Sequence, residues 1–287
     1  MPRWWRAQAK LNLYLHVVGR RSDGYHLLDS LVAFADLGDE IAAAPSARLS
    51  LKIEGRFASK LDANRESNLV WRAAQMLAQR LGRKPDAALT LKKNLPVAAG
   101  IGGGSSDAAA TLNALSDLWG GEVNGQLLAE VGLSLGADVP ACLAARPCWV
   151  GGIGEEVELA PGLPAAFLVL ANPGVPLPTA AVFRAYRAPF STPARFAAMP
   201  ASLAEFVDLL AARRNDLTAA AIAQVPAIAA LIERLASAEG ALLSRMSGSG
   251  ATCFALFATA REARAAAAAI RAEQPDWWVA EGGLSTP

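Results

Sequence analysis

Between residues 9 and 19, in AKLNLYLHVVG, Leu11, Leu13, Leu15 and Val17 alternate with Asn12, Tyr14 and His16. A period of two predicts a half-buried strand. On that strand Lys10 shares a face with Asn12 and opposes Ala9 and Leu11. RRSDGYH (20–26) predicts a turn at Asp23-Gly24, and LLDSLVAFADLGDEIAAAP (27–45) and LSLKIEG (49–55) predict further strands. In SNLVWRAAQMLAQRLG the apolar positions become 69, 70, 73, 76, 77 and 81, a helix with Ser67 as its cap and Gly82 as its stop. AALTLKKNLP (87–96) alternates again. Beyond it Ala108, Leu112, Leu115 and Trp119 recur at four, three and four residues, an amphipathic helix closed by Gly120-Gly121.

The second half has a different texture. Prolines are frequent from Pro161 to Pro200, which predicts a crossover or linker and a long loop. SLAEFVDLLAARRNDL then opens a helix with Ser202 and Glu205 as a capping box, and PAIAALIERLASAEG predicts another. ALLSRMSG and ATCFALF read as strands around the turn SGSG (247–250), ATAREARAAAAAIRAE as a helix and DWWVAE as a last strand. Strands alternating with helices predict a small α+β domain here.

Composition narrows the function classes. Of 287 residues 53% are hydrophobic, much of that alanine, and 18% are charged. The most apolar region, LPAAFLVLANPGVPLPTAAVF, is broken by prolines and a glycine, so no membrane span is expected. The N-terminal stretch lacks a small-x-small cleavage site and carries Asn12 and His16 in its apolar part, so no signal peptide is expected. A net charge of +1 argues against nucleic-acid or anionic-membrane partners. Cys142, Cys148 and Cys253 have no metal-type spacing and the only histidines are His16 and His26. A His/Cys metal site is not expected, and a reduced, cytoplasmic setting is.

Residues 95–107 read LPVAAGIGGGSSD, a glycine run between a predicted strand and a predicted helix. A helix N-terminus offers unpaired N–H groups and a positive dipole end, a site suited to phosphate. Glycines remove the Cβ atoms that would block phosphate oxygens, and Ser105 and Ser106 add hydroxyl donors. No lysine follows as in Walker A, and Ser105 stands where G-x-G-x-x-G needs its last glycine. Taken alone, the loop fits a phosphate cradle or a structural turn. Other residues also carry two readings in isolation. Asp138 in LGADVP reads as a helix cap, and Lys10, Lys92 and Lys93 as solvated strand lysines, the last two alternatively as phosphate helpers. Tyr25 and Phe183 read as core or rim aromatics. The tryptophan pairs 4/5 and 277/278 read as packing residues.

The whole string Pro96-x-x-x-Gly100-x-Gly102-Gly103-Gly104-Ser105-Ser106 resembles the ATP motif of the GHMP kinases. AKLNLYLHVVGRRSDGYH precedes it in the family's order, and LGADVP, NPGVPLPT, RNDL and RMSGSGATCFALF follow. Two departures stand out: Gln8 where the family usually has proline, and Val97-Ala98-Ala99 where a Met/Gly-containing stretch is commoner. The resemblance implies an α+β fold of two domains. These are an α/β-type N-terminal ATP-binding and catalytic domain, residues 1–158, and a ferredoxin-like C-terminal domain, residues 159–287. It implies that ATP is held by Pro96, Val97, Ala98, Ala99, Gly100, Ile101, Gly102, Gly103, Gly104, Ser105 and Ser106. Asp138 is implied as catalytic base and Lys10 as its cationic partner. Mg²⁺ is expected with the nucleotide, its protein ligands unassigned. The acceptor implied is a small molecule, a sugar alcohol carrying cytidine diphosphate and phosphorylated on its 2-hydroxyl in non-mevalonate isoprenoid synthesis. Asn12, Tyr25, His26, Thr179 and Phe183 are implied to bind it. The alternatives are a homoserine- or mevalonate-type kinase, or a nucleotide-binding protein without chemistry. A monomer or homodimer is expected.

Overall fold

The computed structural model describes residues 3–62, 64–120 and 123–285. The chain starts with two long paired strands, β1 (Trp4–Arg20) and β2 (His26–Pro45). The turn between them forms as expected, with Gly24 at φ 93° and Tyr25 N donating to Asp23 Oδ1 at 3.2 Å. The predicted half-burial of β1 is corrected: Asn12, Tyr14 and His16 are as buried as the leucines between them. The polar face is covered because it is hydrogen-bonded. Asn12 Nδ2 donates to Ser30 Oγ at 2.8 Å, and Tyr14 Oη donates to Asp29 Oδ2 at 3.0 Å. Burial, then the Asp29 charge, raise the Tyr14 hydroxyl pKa far above its ordinary value.

The described residues form two compact units. One comprises those up to Ala9, Gly38–Val97 and Gly102–Ala145; the other comprises Lys10–Leu37, Ala98–Ile101 and those from Arg146 onward. Both long strands and the glycine loop therefore contribute to each.

The first unit adds β3 (Ser50–Glu54), α1 (Leu69–Arg80), β4 (Ala87–Lys92), α2 (Gly103–Trp119), α3 (Gly125–Leu135) and α4 (Val139–Ala144). β4 runs antiparallel to the end of β2, from Glu40↔Lys92 to Pro45↔Ala87, and parallel to β3. The buried stripe Val70, Ala73, Ala74, Leu77 and Ala78 turns α1 onto α2, whose own face is rich in alanine and so permits close approach. The cap of α1 is Asn68, not Ser67. Asn68 Oδ1 accepts Val70 N at 2.9 Å, while Ser67 Oγ donates to Asn64 O in the preceding 3₁₀ turn. Gly120 ends α2 at φ 57°; Gly121 lies outside the described residues.

The second unit adds β5 (Cys148–Gly151), β6 (Glu156–Leu159), β7 (Phe167–Asn172), α5 (Thr179–Ala185), α6 (Leu203–Ala211), α7 (Thr218–Gln224), α8 (Ala227–Ala236), β8 (Ala241–Met246), β9 (Cys253–Phe257), α9 (Ala260–Glu273) and β10 (Trp278–Gly283). β5 pairs with the first part of β2, and β6 with β5. The antiparallel order β10-β7-β9-β8, with helices between β7 and β8 and between β9 and β10, is the ferredoxin-like β-α-β-β-α-β arrangement. Ile228, Leu231 and Leu235 of α8 and Ala263, Ala267 and Ile270 of α9 belong to the core that covers this sheet.

Of the crossover or linker and the long loop expected over 161–200, the linker is corrected, because the stretch contains β7, an inner strand of that sheet, while a long loop does separate α5 from α6. Leu168 to Asn172 are buried on both faces, so FLVLAN is a continuous apolar run with no alternation to announce a strand. The expected capping box at α6 is half made. Ser202 Oγ accepts Glu205 N at 3.2 Å, but the Glu205 carboxylate takes Ala201 N at 2.8 Å. A complete box sits instead at α9, between Thr259 and Glu262. All three cysteines are buried and outside any disulfide. No described helix is long and apolar enough to cross a membrane.

Candidate active site

In the first unit the glycine run does not merely precede α2; it starts it. Gly102 is the N-cap at φ 63°, a left-handed conformation that a Cβ would strain. Gly103, Gly104 and Ser105 follow as the first helical residues. Ser106 N donates to Gly102 O at 2.8 Å as the first bond of the helix. The three N–H groups ahead of it have no intrahelical acceptor and lie at the positive end of a 17-residue helix. Unpaired N–H groups at a helix start are what a phosphate cradle requires, and they stand where the sequence left that reading open beside a structural turn. Ser105 is half-buried and Gly104 exposed. Ser106 is corrected as a hydroxyl donor to phosphate: its buried Oγ donates to Gln8 O at 2.7 Å and lies 3.3 Å from Cys142 Sγ.

Asp138 occupies the N-cap position of α4 at φ −77°, ψ −16°, yet its carboxylate makes no capping bond. A capping Asx residue adopts extended φ/ψ and accepts from N2 or N3, so the helix-cap reading loses its support. Lys93 departs from its reading as a solvated lysine, whereas Lys92 stays partly exposed at the strand end. Lys92 Nζ lies 3.4 Å from Glu40 Oε2 and 3.8 Å from the Trp4 ring centroid. Lys93 is 2% exposed, between Asp39 and Asp107.

In the second unit, loop residues 98–101 are bonded to the SGSG turn. Ser247 Oγ donates to Gly100 O at 3.1 Å, Thr252 N to Ala99 O at 3.1 Å and Lys10 N to Ile101 O at 2.9 Å. A Cβ on Gly100 would stand 2.6 Å from Gly250 O, so only glycine fits this approach. The RNDL motif explains itself here. Asn215 Nδ2 donates to Met246 O and Gly248 O at 2.8 Å each, and Asp216 Oδ2 accepts Val17 N at 2.8 Å. Buried Arg245 clamps Leu13 O, Leu210 O and Arg213 O, and burial pulls its pKa down to about 10, with Arg213 adding to the shift. Lys10, also buried, donates from Nζ to Asn12 Oδ1 at 3.1 Å, on the face that strand alternation assigned to both.

Ala98 carries a cost in this loop. At φ 52° it is left-handed without being glycine, a conformation worth about 1–2 kcal/mol against an L-residue. Glycine's greater freedom in the unfolded chain returns about 0.4–1 kcal/mol of that. Ala98→Gly should therefore raise the urea midpoint by the equivalent of about 0.5–1 kcal/mol. A lower midpoint would show that Ala98 is unstrained.

The expected acceptor residues divide. His26 stacks on Phe183, with ring centroids 5.3 Å apart and planes at 29°, and meets Tyr186 edge-on at 5.7 Å. Burial and then Arg20 lower the His26 pKa, which keeps the ring neutral at neutral pH. Thr179 Oγ1 lies 2.9 Å from Ser249 Oγ, beside the turn that grips the loop. Tyr25 is 60% exposed, which removes its reading as a core aromatic. Sequence reasoning assigned no role to Asp39, Asp107, Asn215 or Ser247, although the last three lie in motifs it singled out. Asp39 and Asp107 look like ordinary surface acids in the sequence, and only long-range packing reveals their partners.

Comparison with known proteins places this geometry. Residues 68–146 match the GHMP kinases N terminal domain and residues 198–276 the GHMP kinases C terminal domain. The chain belongs to the GHMP kinase family. Among its relatives, the 4-diphosphocytidyl-2-C-methyl-D-erythritol kinase of Paramagnetospirillum magneticum is 51% identical over 97% of each chain. The enzyme of the same name from Cereibacter sphaeroides is 52% identical, over 95% of this chain and 96% of its own. The crystal structure of a 4-(cytidine 5'-diphospho)-2C-methyl-D-erythritol kinase aligns with a TM-score of 0.79 at 33% identity, over 99% of both chains. Homoserine kinase from Cytophaga hutchinsonii, at 16% identity and a TM-score of 0.72 over 99% of this chain and 94% of its own, shares the fold.

Proposed function

We propose that this GHMP kinase transfers the γ-phosphoryl group of ATP to the 2-hydroxyl of 4-diphosphocytidyl-2-C-methyl-D-erythritol. The observation that carries the reading is the start of α2 inside the glycine run, with the N–H groups of Gly103, Gly104 and Ser105 ahead of the first helical bond. Identity of about half with relatives named for that substrate supports the choice of acceptor. Gly102 to Ser105 hold the phosphates from the first unit. Residues 98–101 are held in shape by Ser247 and Thr252. ATP would supply the phosphoryl group, and Mg²⁺ bound with the nucleotide would supply neutralisation of the developing charge. Among the described residues no group of three His, Cys, Asp or Glu stands ready for a metal ion, so no ligand is assigned.

Asp138 takes the proton of the acceptor hydroxyl as its oxygen bonds to phosphorus and the bond from phosphorus to the β-phosphate oxygen breaks. Lys10 stabilises the negative charge on the oxygens in flight, with Asn12 fixing its ammonium. The neutral His26 ring, backed by Phe183 and Tyr186, reads a base edge, and Tyr25 offers an exposed ring for stacking. We place the enzyme in the cytoplasm as a monomer or homodimer, with its domain boundary near residue 158. Incubation with ATP, Mg²⁺ and a panel of alcohols, scored by ADP release, tests the reading. The cytidine diphosphate sugar alcohol should be turned over, and homoserine and mevalonate should not. Turnover of either of the latter in its place contradicts the assignment.

A further inference from the structure

We propose that Lys93 is a positioning residue for the nucleotide loop, an ammonium that clasps the strand entering the loop to the helix leaving it. This rests on the reading of residues 96–106 as the ATP loop. Lys93 Nζ lies 2.5 Å from Asp39 Oδ2 and 2.6 Å from Asp107 Oδ2. The other oxygen of Asp39 accepts Asn94 N at 2.5 Å and Leu95 N at 2.8 Å, the last two residues before Pro96. Asp107 stands one turn into α2. One cation thus ties position 93 to position 107, and one carboxylate holds the backbone between the clasp and the loop. The main chain of Lys93 is fixed as well, donating to Glu54 O at 2.7 Å and accepting Phe57 N at 2.9 Å. A Cβ built on Gly103 would come within 3.2 Å of Lys93 Nζ, so the ammonium lies against the first residue of the helix.

Stability does not account for the trio. Buried ion pairs are commonly matched or surpassed by apolar residues of the same volume, and this one is unbalanced, with two carboxylates to one cation. Asp107 Oδ1 is buried without a hydrogen-bond partner. Burial, with Asp39 adding to it and Lys93 opposing, pushes the Asp107 carboxyl up to about 7. Burial pulls the Lys93 pKa down, and the two carboxylates outweigh it, so the net shift is upward. Apolar groups would fill the space but lack direction. Charge-assisted bonds fix both distance and angle, and here they fix where the N–H groups of Gly103, Gly104 and Ser105 stand.

Asp107→Ala releases the exit side of the clasp and leaves a balanced Lys93–Asp39 pair, so the protein should fold. Its Kd for ATP by calorimetry should rise about tenfold, the worth of one charge-assisted bond. The KM for the acceptor alcohol should stay near wild type. Asp107→Asn keeps an oxygen for Lys93 Nζ and should recover most of the ATP affinity. Unchanged ATP affinity in folded Asp107→Ala, an equal loss in both variants, or a matching rise in the acceptor KM overturns the clasp. Should Asp107→Ala not fold, the triple variant Lys93→Met, Asp39→Asn, Asp107→Asn decides by the same measurements, and its failure to fold also counts against the proposal. Wild-type protein that binds no ATP defeats the functional reading itself, whereas wild-type binding with indifferent variants defeats only the clasp.

Discussion

Asp138→Asn is expected to lower turnover by about 10²–10⁴, the usual worth of a positioned general base. The amide is nearly isosteric but cannot take a proton from the acceptor hydroxyl. Because the carboxylate makes no capping bond to α4, the variant should escape the stability loss of about 1 kcal/mol that removing a true cap brings. Melting temperature and ATP affinity should stay close to wild type while kcat collapses. A variant that melts early and turns over normally would return Asp138 to the cap role. The comparison works because stability and rate are read on one protein.

Lys10→Met should cost about 10²–10³ in kcat, the range seen when one preorganised donor is taken from a developing charge. Methionine matches the aliphatic stem, and Lys10 is 5% exposed, so packing is largely kept. The ammonium disappears, and with it the bond to Asn12 Oδ1 among its interactions. Asn12 still donates to Ser30 Oγ, which in turn donates to Tyr14 O, so the strand around it stays organised. The loss should appear in kcat rather than in the ATP KM, since the N–H groups of α2 are a separate element. Equal losses in kcat and in both KM values would point to a collapsed site rather than a missing charge.

The parts of the fold and site legible in the sequence are those whose signal is local. The glycine run, its place before a helix and the shared face of Lys10 and Asn12 follow from backbone freedom and a period of two, and each is present in the structure. α8, β8, β9 and α9 were legible for the same reason. β7 was not, because a strand buried on both faces has no alternation and its proline neighbours imitate a linker. Ser67 and Asn68 are adjacent candidates for one cap, and only φ/ψ and the bond to Val70 N separate them. The full burial of Tyr14 and His16 and the trio of Asp39, Lys93 and Asp107 are tertiary facts. A lysine at the end of a strand reads as solvated until a carboxylate 54 residues earlier in the chain is found 2.5 Å from it. RNDL was visible as a motif, but its task of holding the SGSG turn depends on residues some thirty positions away.

The most direct test of the central claim is ³¹P NMR of the product formed from ATP, Mg²⁺ and 4-diphosphocytidyl-2-C-methyl-D-erythritol by the purified protein. The expected result is one new phosphomonoester resonance, appearing in step with ADP and assigned to the oxygen on the methyl-bearing carbon, with the diphosphate resonances of the acceptor intact. ADP release with only inorganic phosphate, or a phosphomonoester on any other hydroxyl, would contradict it.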